Sequence, residues 1–206
     1  MAEPVARSPI PVAPPESVVD GWVGSGRRTR APLTLTDSTP LAKIAVRADP
    51  GIELLGTRFG RAVRATWDGY DVLVAGSGPG EWLVLAPPGR GGDVTHRLTT
   101  ASYDGRVSVL DLTHGRAVLR LTGDRAADLL AMETRIDLDD DFCPDGAALR
   151  CDLAGLAVDV IHDDRDERRS YLVHCERSSG RYLADALLDS GRELGLELDG
   201  FRPPYP

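Results

Sequence analysis

The residues of this chain that could do chemistry are few and scattered. Its histidines are His96, His114, His162 and His174, and its cysteines are Cys143, Cys151 and Cys175. None forms an H-x-x-x-H or Cys-x-x-Cys pair, so the sequence proposes no metal site, which needs three or four converging ligands. His162 and His174 fall on strand-like segments and could be cross-strand neighbours, with Cys175 pointing away from His174. Asp111 stands three residues before His114. Residues three apart on or leaving a strand do not reliably face each other, so this is a weak catalytic pair. Gly76, Gly78 and Gly80 suggest a phosphate loop. Their spacing is not the dinucleotide fingerprint, and a strand rather than a helix follows, so they read as a hairpin turn. The run Asp137-Leu138-Asp139-Asp140-Asp141 lacks the Gly and terminal Glu of a calcium loop and reads as solvated. No Ser lies in a G-x-S-x-G elbow. The sequence itself nominates no catalytic, metal or flavin-binding residue.

The elements that would position such residues are mainly strands. Lys43 to Arg47, Arg61 to Trp67, Val72 to Ala75 and Glu81 to Ala86 have strand character, with Leu54-Leu55 a further short candidate. Asp93 to Ala101 suits a short helix capped by Asp93. From Val107 the expected order is strand, strand, helix, strand, strand, strand, helix. The fourth and fifth elements, within Ala147 to Ile161, turn at Leu153-Ala154-Gly155, and the last helix presents Tyr182, Leu183, Ala186 and Leu187 inward. Alternation or helical spacing assigns Val109, Leu119, Leu121, Leu130, Val158, Val160, Leu172 and Leu187 to the core. The expected organisation is a Pro/Gly-rich, unpacked tail over 1–36, α+β units over 37–104 and 105–195, and a Pro-rich tail over 196–206. The last contains Phe201, Arg202 and Tyr205, residue types that anchor protein interfaces. Trp82, on a strand, is expected in the core. The Arg27-Arg28-Thr29-Arg30 cluster reads as a solvated tail.

Composition sets the outer bounds. The 206 residues carry a formal net charge of −8, which argues against a nucleic-acid partner, since phosphate neutralisation needs a basic surface. Of the 24 basic residues all but Lys43 are Arg, which reads as genomic base composition rather than arginine chemistry. Apolar residues make up 42%, enough for a core, yet no run is long enough to span a bilayer, and no secretory leader is evident. Three scattered cysteines make no disulfide framework and fit a cytoplasmic chain.

The ordered segments, taken together, resemble the gamma subunit of heterotetrameric sarcosine oxidase. The stretches that carry the resemblance are Thr39-Pro40-Leu41-Ala42, Gly80-Glu81-Trp82-Leu83-Val84-Leu85, and Asp111-Leu112-Thr113-His114-Gly115-Arg116-Ala117-Val118-Leu119-Arg120-Leu121-Thr122-Gly123. Leu129-Leu130, Ile136-Asp137-Leu138 and the late helix follow, so it covers roughly 38–192. It implies an α+β fold of two antiparallel-sheet units with packed helices, the aminomethyltransferase-like folate-binding fold without its C-terminal barrel domain. It implies a structural subunit with alpha, beta and delta partners, in a complex that demethylates sarcosine to glycine, makes hydrogen peroxide and passes the one-carbon unit to tetrahydrofolate. FAD, FMN, NAD and tetrahydrofolate would belong to the partners. Aminomethyltransferases have a Gly-Gly hairpin followed by an Asp-Asp pair. The matching stretch here is Gly155-Leu156-Ala157-Val158-Asp159-Val160, where Asp159 alone remains. Asp159 is thus a candidate for a folate-binding or aminomethyl-transferring alternative, against its reading as a solvent-facing strand residue.

Overall fold

The computed structural model describes residues 5–49, 56–101, 103 and 105–201. In chain order the elements are β1 (Ala6–Arg7), β2 (Glu16–Val19), β3 (Trp22–Ser25), β4 (Leu33–Asp37), β5 (Ala42–Ala48), β6 (Ala62–Trp67), β7 (Tyr70–Gly78), β8 (Glu81–Ala86) and α1 (Gly91–Thr100). There follow β9 (Val107–Asp111), β10 (Arg116–Thr122), α2 (Ala126–Glu133), β11 (Ala148–Leu153), β12 (Leu156–His162), β13 (Ser170–Glu176), α3 (Gly180–Ser190) and β14 (Leu196–Asp199). The strands make a five-stranded sheet, β6-β7-β8-β5-β9, a six-stranded sheet, β11-β12-β13-β10-β4-β14, and a small sheet, β1-β3-β2.

The two larger sheets stack, and alternation within each strand decides what lies on either side. In β5, Ala42, Ile44 and Val46 join Val74, Val84, Val94 and Leu98 in a core beneath α1. In β10, β12 and β13, residues Leu119, Leu121, Val158, Val160 and Val173 pack against Leu129, Leu130, Leu183 and Leu187 of α2 and α3. The opposite faces meet between the sheets, where Leu73, Leu83, Leu85, Val118, Ile161 and Leu172 form a third core. The helices therefore lie outside, and the inter-sheet layer is covered on both sides. Each fully buried Leu or Ile of that layer contributes about 1.5–3 kcal/mol.

Turn chemistry sets the registers. Asp20-Gly21, Asp68-Gly69 and Ala154-Gly155 each have φ between +48° and +84°, the two-residue hairpin turn whose twist matches the strands it joins. Gly123, after β10, is held more tightly. Its φ is +143°, and an added Cβ would lie 2.1 Å from the Pro32 carbonyl oxygen.

Pairing crosses the boundaries read from sequence. β4, inside the expected tail, joins the large sheet between β10 and β14, and β14 pairs with it in parallel, so that sheet is mixed rather than wholly antiparallel. β9, expected in the second unit, pairs with β5 of the first sheet. Residues 6–25 form the small sheet instead of an unpacked tail. Pro and Gly there fall mostly between strands, where missing donors cost nothing. Seven of the eight expected core positions are buried and Val109 is partly so. On α3, Tyr182 faces solvent and Ala184 takes its inward place, while Asp93 lies in the first turn of α1 rather than at its cap. Leu54 and Leu55 lie outside the described residues.

Candidate functional site

Two of the strand registers bring Asp159 into a charged row. Arg150 of β11 is paired with Asp159 of β12, and Asp159 with His174 of β13. Arg150, Asp159 and His174 thus stand side by side on the face that meets the five-stranded sheet. Arg150 Nε donates to Asp159 Oδ1 at 2.8 Å, and His174 Nε2 lies 3.2 Å from Oδ2. Across the layer, Arg150 Nη1 reaches Glu81 of β8 at 3.9 Å, and Glu81 also pairs with Arg47 at 3.2 Å. Asp159 is only 8% exposed, so the solvent-facing reading fails: the second sheet covers a face that alternation alone leaves open.

His174 is the chemically distinctive member of the row. Burial lowers its pKa from 6.5 to about 4; Asp159 opposes this, while Arg116, Arg150 and Lys43 reinforce it. At neutral pH the ring is uncharged. With its proton on Nε2, the nitrogen facing Asp159, Nδ1 is a buried acceptor with no hydrogen-bond partner among the described residues. A carboxylate that orients a neutral imidazole is the base-and-orienter half of a nucleophilic site. The nucleophile is what is lacking: no described hydroxyl or thiol is bonded to Nδ1. The row can hold a proton between Asp159 and His174, with Arg150 neutralised by Asp159 and Glu81.

Lys43 of β5 extends the charged region. It is 0% exposed, and its Nζ donates to the Thr39 and Leu41 carbonyls at 2.6 and 2.8 Å. Trp22 of β3 lies over the ammonium, 5.8 Å from ring centroid to Nζ, and also stacks on His114 at 5.0 Å. Burial lowers the Lys43 pKa to about 7, opposed by Asp37 and Asp111 and aided by Arg177. Desolvation also raises the nearby Asp37 above the usual carboxylate range. The sequence reading noted that Lys43 is the sole lysine but saw only composition in it. The signal available was its place on a strand between the core residues Ala42 and Ile44.

Other residues singled out from sequence are placed apart. Asp111 Oδ1 accepts the Thr113 N–H at 2.7 Å, while His114 stacks on Trp22, so the two are not hydrogen-bonded to each other. His162 pairs with Tyr171, not His174, and is satisfied by the Cys143 carbonyl at 2.6 Å and Asp164 at 2.8 Å. Gly76 and Gly78 flank a bulge at the end of β7, which turns straight into β8. Asp137 to Asp141 form a turn-rich segment in which Leu138 is buried and Asp140 pairs with Arg169. Trp82 is in the core, donating to the Thr57 carbonyl at 2.9 Å. Phe201, offered from sequence as an exposed anchor, is 4% exposed: β14 carries it into the fold, where Arg28 meets its carbonyl. Arg202 and Tyr205 lie outside the described residues. Among the described residues no three His, Cys, Asp or Glu side chains gather as a metal site, and no helix is long and apolar enough to cross a membrane.

The fold is aminomethyltransferase-like. A chain of heterotetrameric sarcosine oxidase from Corynebacterium sp. U-96 matches with a TM-score of 0.67 at 22% identity, over 79% of this chain and 85% of that one. The glycine cleavage system aminomethyltransferase T of Bartonella henselae matches with a TM-score of 0.69 at 16% identity, over 89% of this chain. The match spans 55% of that transferase, so this chain corresponds to about half of it. No protein-family model and no curated protein matches the sequence. At these identities the likeness is one of fold.

Proposed function

We propose that this chain is a structural, non-catalytic subunit of a flavin-dependent oxidase of the sarcosine oxidase type, in the place of its gamma chain. The observation that carries the reading is the fold match covering 85% of a chain of such a heterotetramer. The order of quoted segments, from Thr39-Pro40 through Asp111–Gly123 to the late helix, supports it independently. An oxidase must hold a redox cofactor, because side chains alone cannot take up the electrons. We assign FAD, FMN, NAD and tetrahydrofolate to the alpha, beta and delta partners. The three unpaired cysteines suit a reducing, cytoplasmic setting. The test is expression alone and with alpha, beta and delta chains encoded beside it. Association, with sarcosine-dependent peroxide only in the complex, is the expected result. Flavin absorbance or peroxide from the chain alone overturns it, as does failure to associate.

One observation favours a second reading, an independent folate-binding or aminomethyl-transferring protein. Asp159 is buried beside a neutral imidazole. On this reading a folate copurifies with the isolated chain, and Asp159→Asn releases it. A chain that carries no folate and takes up none removes it.

A further inference from the structure

Of the four outer strands of the two larger sheets, three are covered or charged. β6 follows directly on Arg61, which bridges to Ala147; its Ala62 N–H donates to the Gly146 carbonyl at 2.7 Å, and Arg64 stands farther along. β11 gives the Ala148 N–H to the Gly60 carbonyl at 3.0 Å and then carries Arg150 and Asp152. β14 is flanked by the segment before β4: the Gly200 N–H donates to the Arg27 carbonyl at 2.7 Å, and the Thr29 N–H to Asp199 Oδ1 at 3.2 Å. Covers and charges of this kind keep an edge strand from pairing with another chain. β9 is the exception. Its Val107-Ser108-Val109-Leu110 holds no charge, proline or glycine, and Asp111 is only its last residue.

The register shows which backbone groups of β9 are spare. The Leu112 N–H donates to the Lys43 carbonyl at 2.7 Å, and the Asp49 N–H to the Arg106 carbonyl at 3.2 Å. The residues bonded to β5 therefore alternate from Arg106 through Ser108 and Leu110 to Leu112. Val107, Val109 and Asp111 turn their N–H and C=O groups away from β5, and none of these groups meets a partner among the described residues. The Val107 and Val109 side chains pack on the core beneath α1, whereas Leu110, on the opposite face, is 61% exposed. The Asp111 carboxylate does not guard the edge: it accepts the Thr113 N–H and lies against Gly91 at the start of α1.

We propose that β9 pairs with β9 of a second copy of this chain, antiparallel about Val109, so that two five-stranded sheets become one continuous sheet. In this register Val107 stands opposite Asp111 of the second copy and Val109 opposite Val109, and all three outward residues of each strand are bonded. A shift of two residues either way leaves one of them unpaired. No like charges face each other, which would oppose pairing. Ser108 lies opposite Leu110 of the second copy, and the two Leu110 side chains become diagonal neighbours, about 7–8 Å apart at the backbone and within reach across the axis. The strand is thus complementary to itself, which is why a second copy is the occupant. The two-fold arrangement closes, because each chain spends its one bare edge, so growth stops at the dimer. The pairing does not depend on the subunit reading.

The test is sedimentation velocity of the full chain from about 10 μM to 1 mM, the range of weak associations, with amide hydrogen exchange at both ends of the range. A monomer–dimer equilibrium without larger species is expected, and the Val107, Val109 and Asp111 amides should slow as the dimer fills. Leu110→Lys, at an exposed position, brings two ammonium groups together across the axis and should weaken the dimer about tenfold or more. Val109→Pro removes an N–H that β5 does not use, and should abolish pairing while the β5 ladder stays protected. A chain that stays monomeric at the top of the range overturns the proposal. So does a dimer that neither variant weakens, or one in which those three amides exchange as in the monomer. Protection of them only after alpha, beta and delta chains are added assigns the edge to a strand of another protein and likewise overturns self-pairing.

Discussion

Lowering the pH should destabilise this protein through His174, by an amount that follows from its environment. The imidazole is 5% exposed and its pKa falls from 6.5 to about 4, because burial penalises the charged ring and Arg116, Arg150 and Lys43 add repulsion, against the attraction of Asp159. Above pH 6.5 neither the folded nor the unfolded chain protonates His174, and it adds no pH dependence. Between pH 6.5 and about 4 the unfolded chain takes up the proton and the folded chain does not, so stability falls with pH. Below that both forms carry it and the loss is complete. At about 1.4 kcal/mol per pH unit the full loss is roughly 3 kcal/mol, a large share of the usual stability of a domain. The assay is urea unfolding of the wild type and His174→Gln at steps from pH 7 to pH 4. Glutamine stays neutral and keeps a donor for Asp159, so the difference between the two curves isolates the imidazole from titrating carboxylates elsewhere. The wild type should lose stability relative to the variant as the pH falls. Parallel curves would show that the ring is not held neutral and would refute the account of the charged row.

Lys43 gives the same sign at higher pH. Between its folded pKa of about 7 and its ordinary 10.5 the unfolded chain holds the proton and the folded chain does not. Unfolding experiments should therefore show stability rising from pH 7, by about 1.4 kcal/mol per unit, and Lys43→Met should flatten the rise. The buried thiols of Cys143 and Cys175, raised to about 11, begin to oppose it near pH 9. Trp22→Ala should uncover the only lysine, so amine acylation at residue 43, read by peptide mass spectrometry, should speed up relative to the N-terminal amine. Gly123→Ala should cost more than about 2 kcal/mol in urea unfolding, because a side chain there meets the Pro32 carbonyl at a φ that L residues avoid.

What the sequence revealed followed the strength of its local signals. Alternation placed Leu119, Leu121, Val158 and Val160 inside because each strand packs one apolar face on α2 and α3. The order of elements from Val107 onward was legible for the same reason. The small N-terminal sheet was also signalled, by Asp20-Gly21, a dipeptide suited to the turn it makes, but the surrounding prolines outweighed it. β9 and β14 were misassigned because pairing partners are chosen by the whole chain. The run Val107–Asp111 carries no mark that its neighbour is β5.

The charged rows were illegible for a deeper reason. Alternation says which residues share a face, not what covers it. On β12 the face carrying Asp159 and Ile161 looks half polar, as a solvent-facing surface would. A second sheet laid over it changes the meaning of every residue there. Ile161 becomes core, while Asp159 and Asp163 become buried carboxylates that require cations. Those cations come from positions far apart in sequence: Arg150 from β11, Arg64 from β6, Arg120 from β10. In a chain whose basic residues are nearly all arginine, composition hides which few are committed in this way. The stacking of the two sheets thus creates both the neutral imidazole at one end and the arginine-held Asp163 at the other. The ends should accordingly respond separately. Acid acts on the His174 row, whereas loss of a guanidinium acts on the Asp163 end, with the apolar Ile161 and Leu172 between them carrying no charge from one to the other.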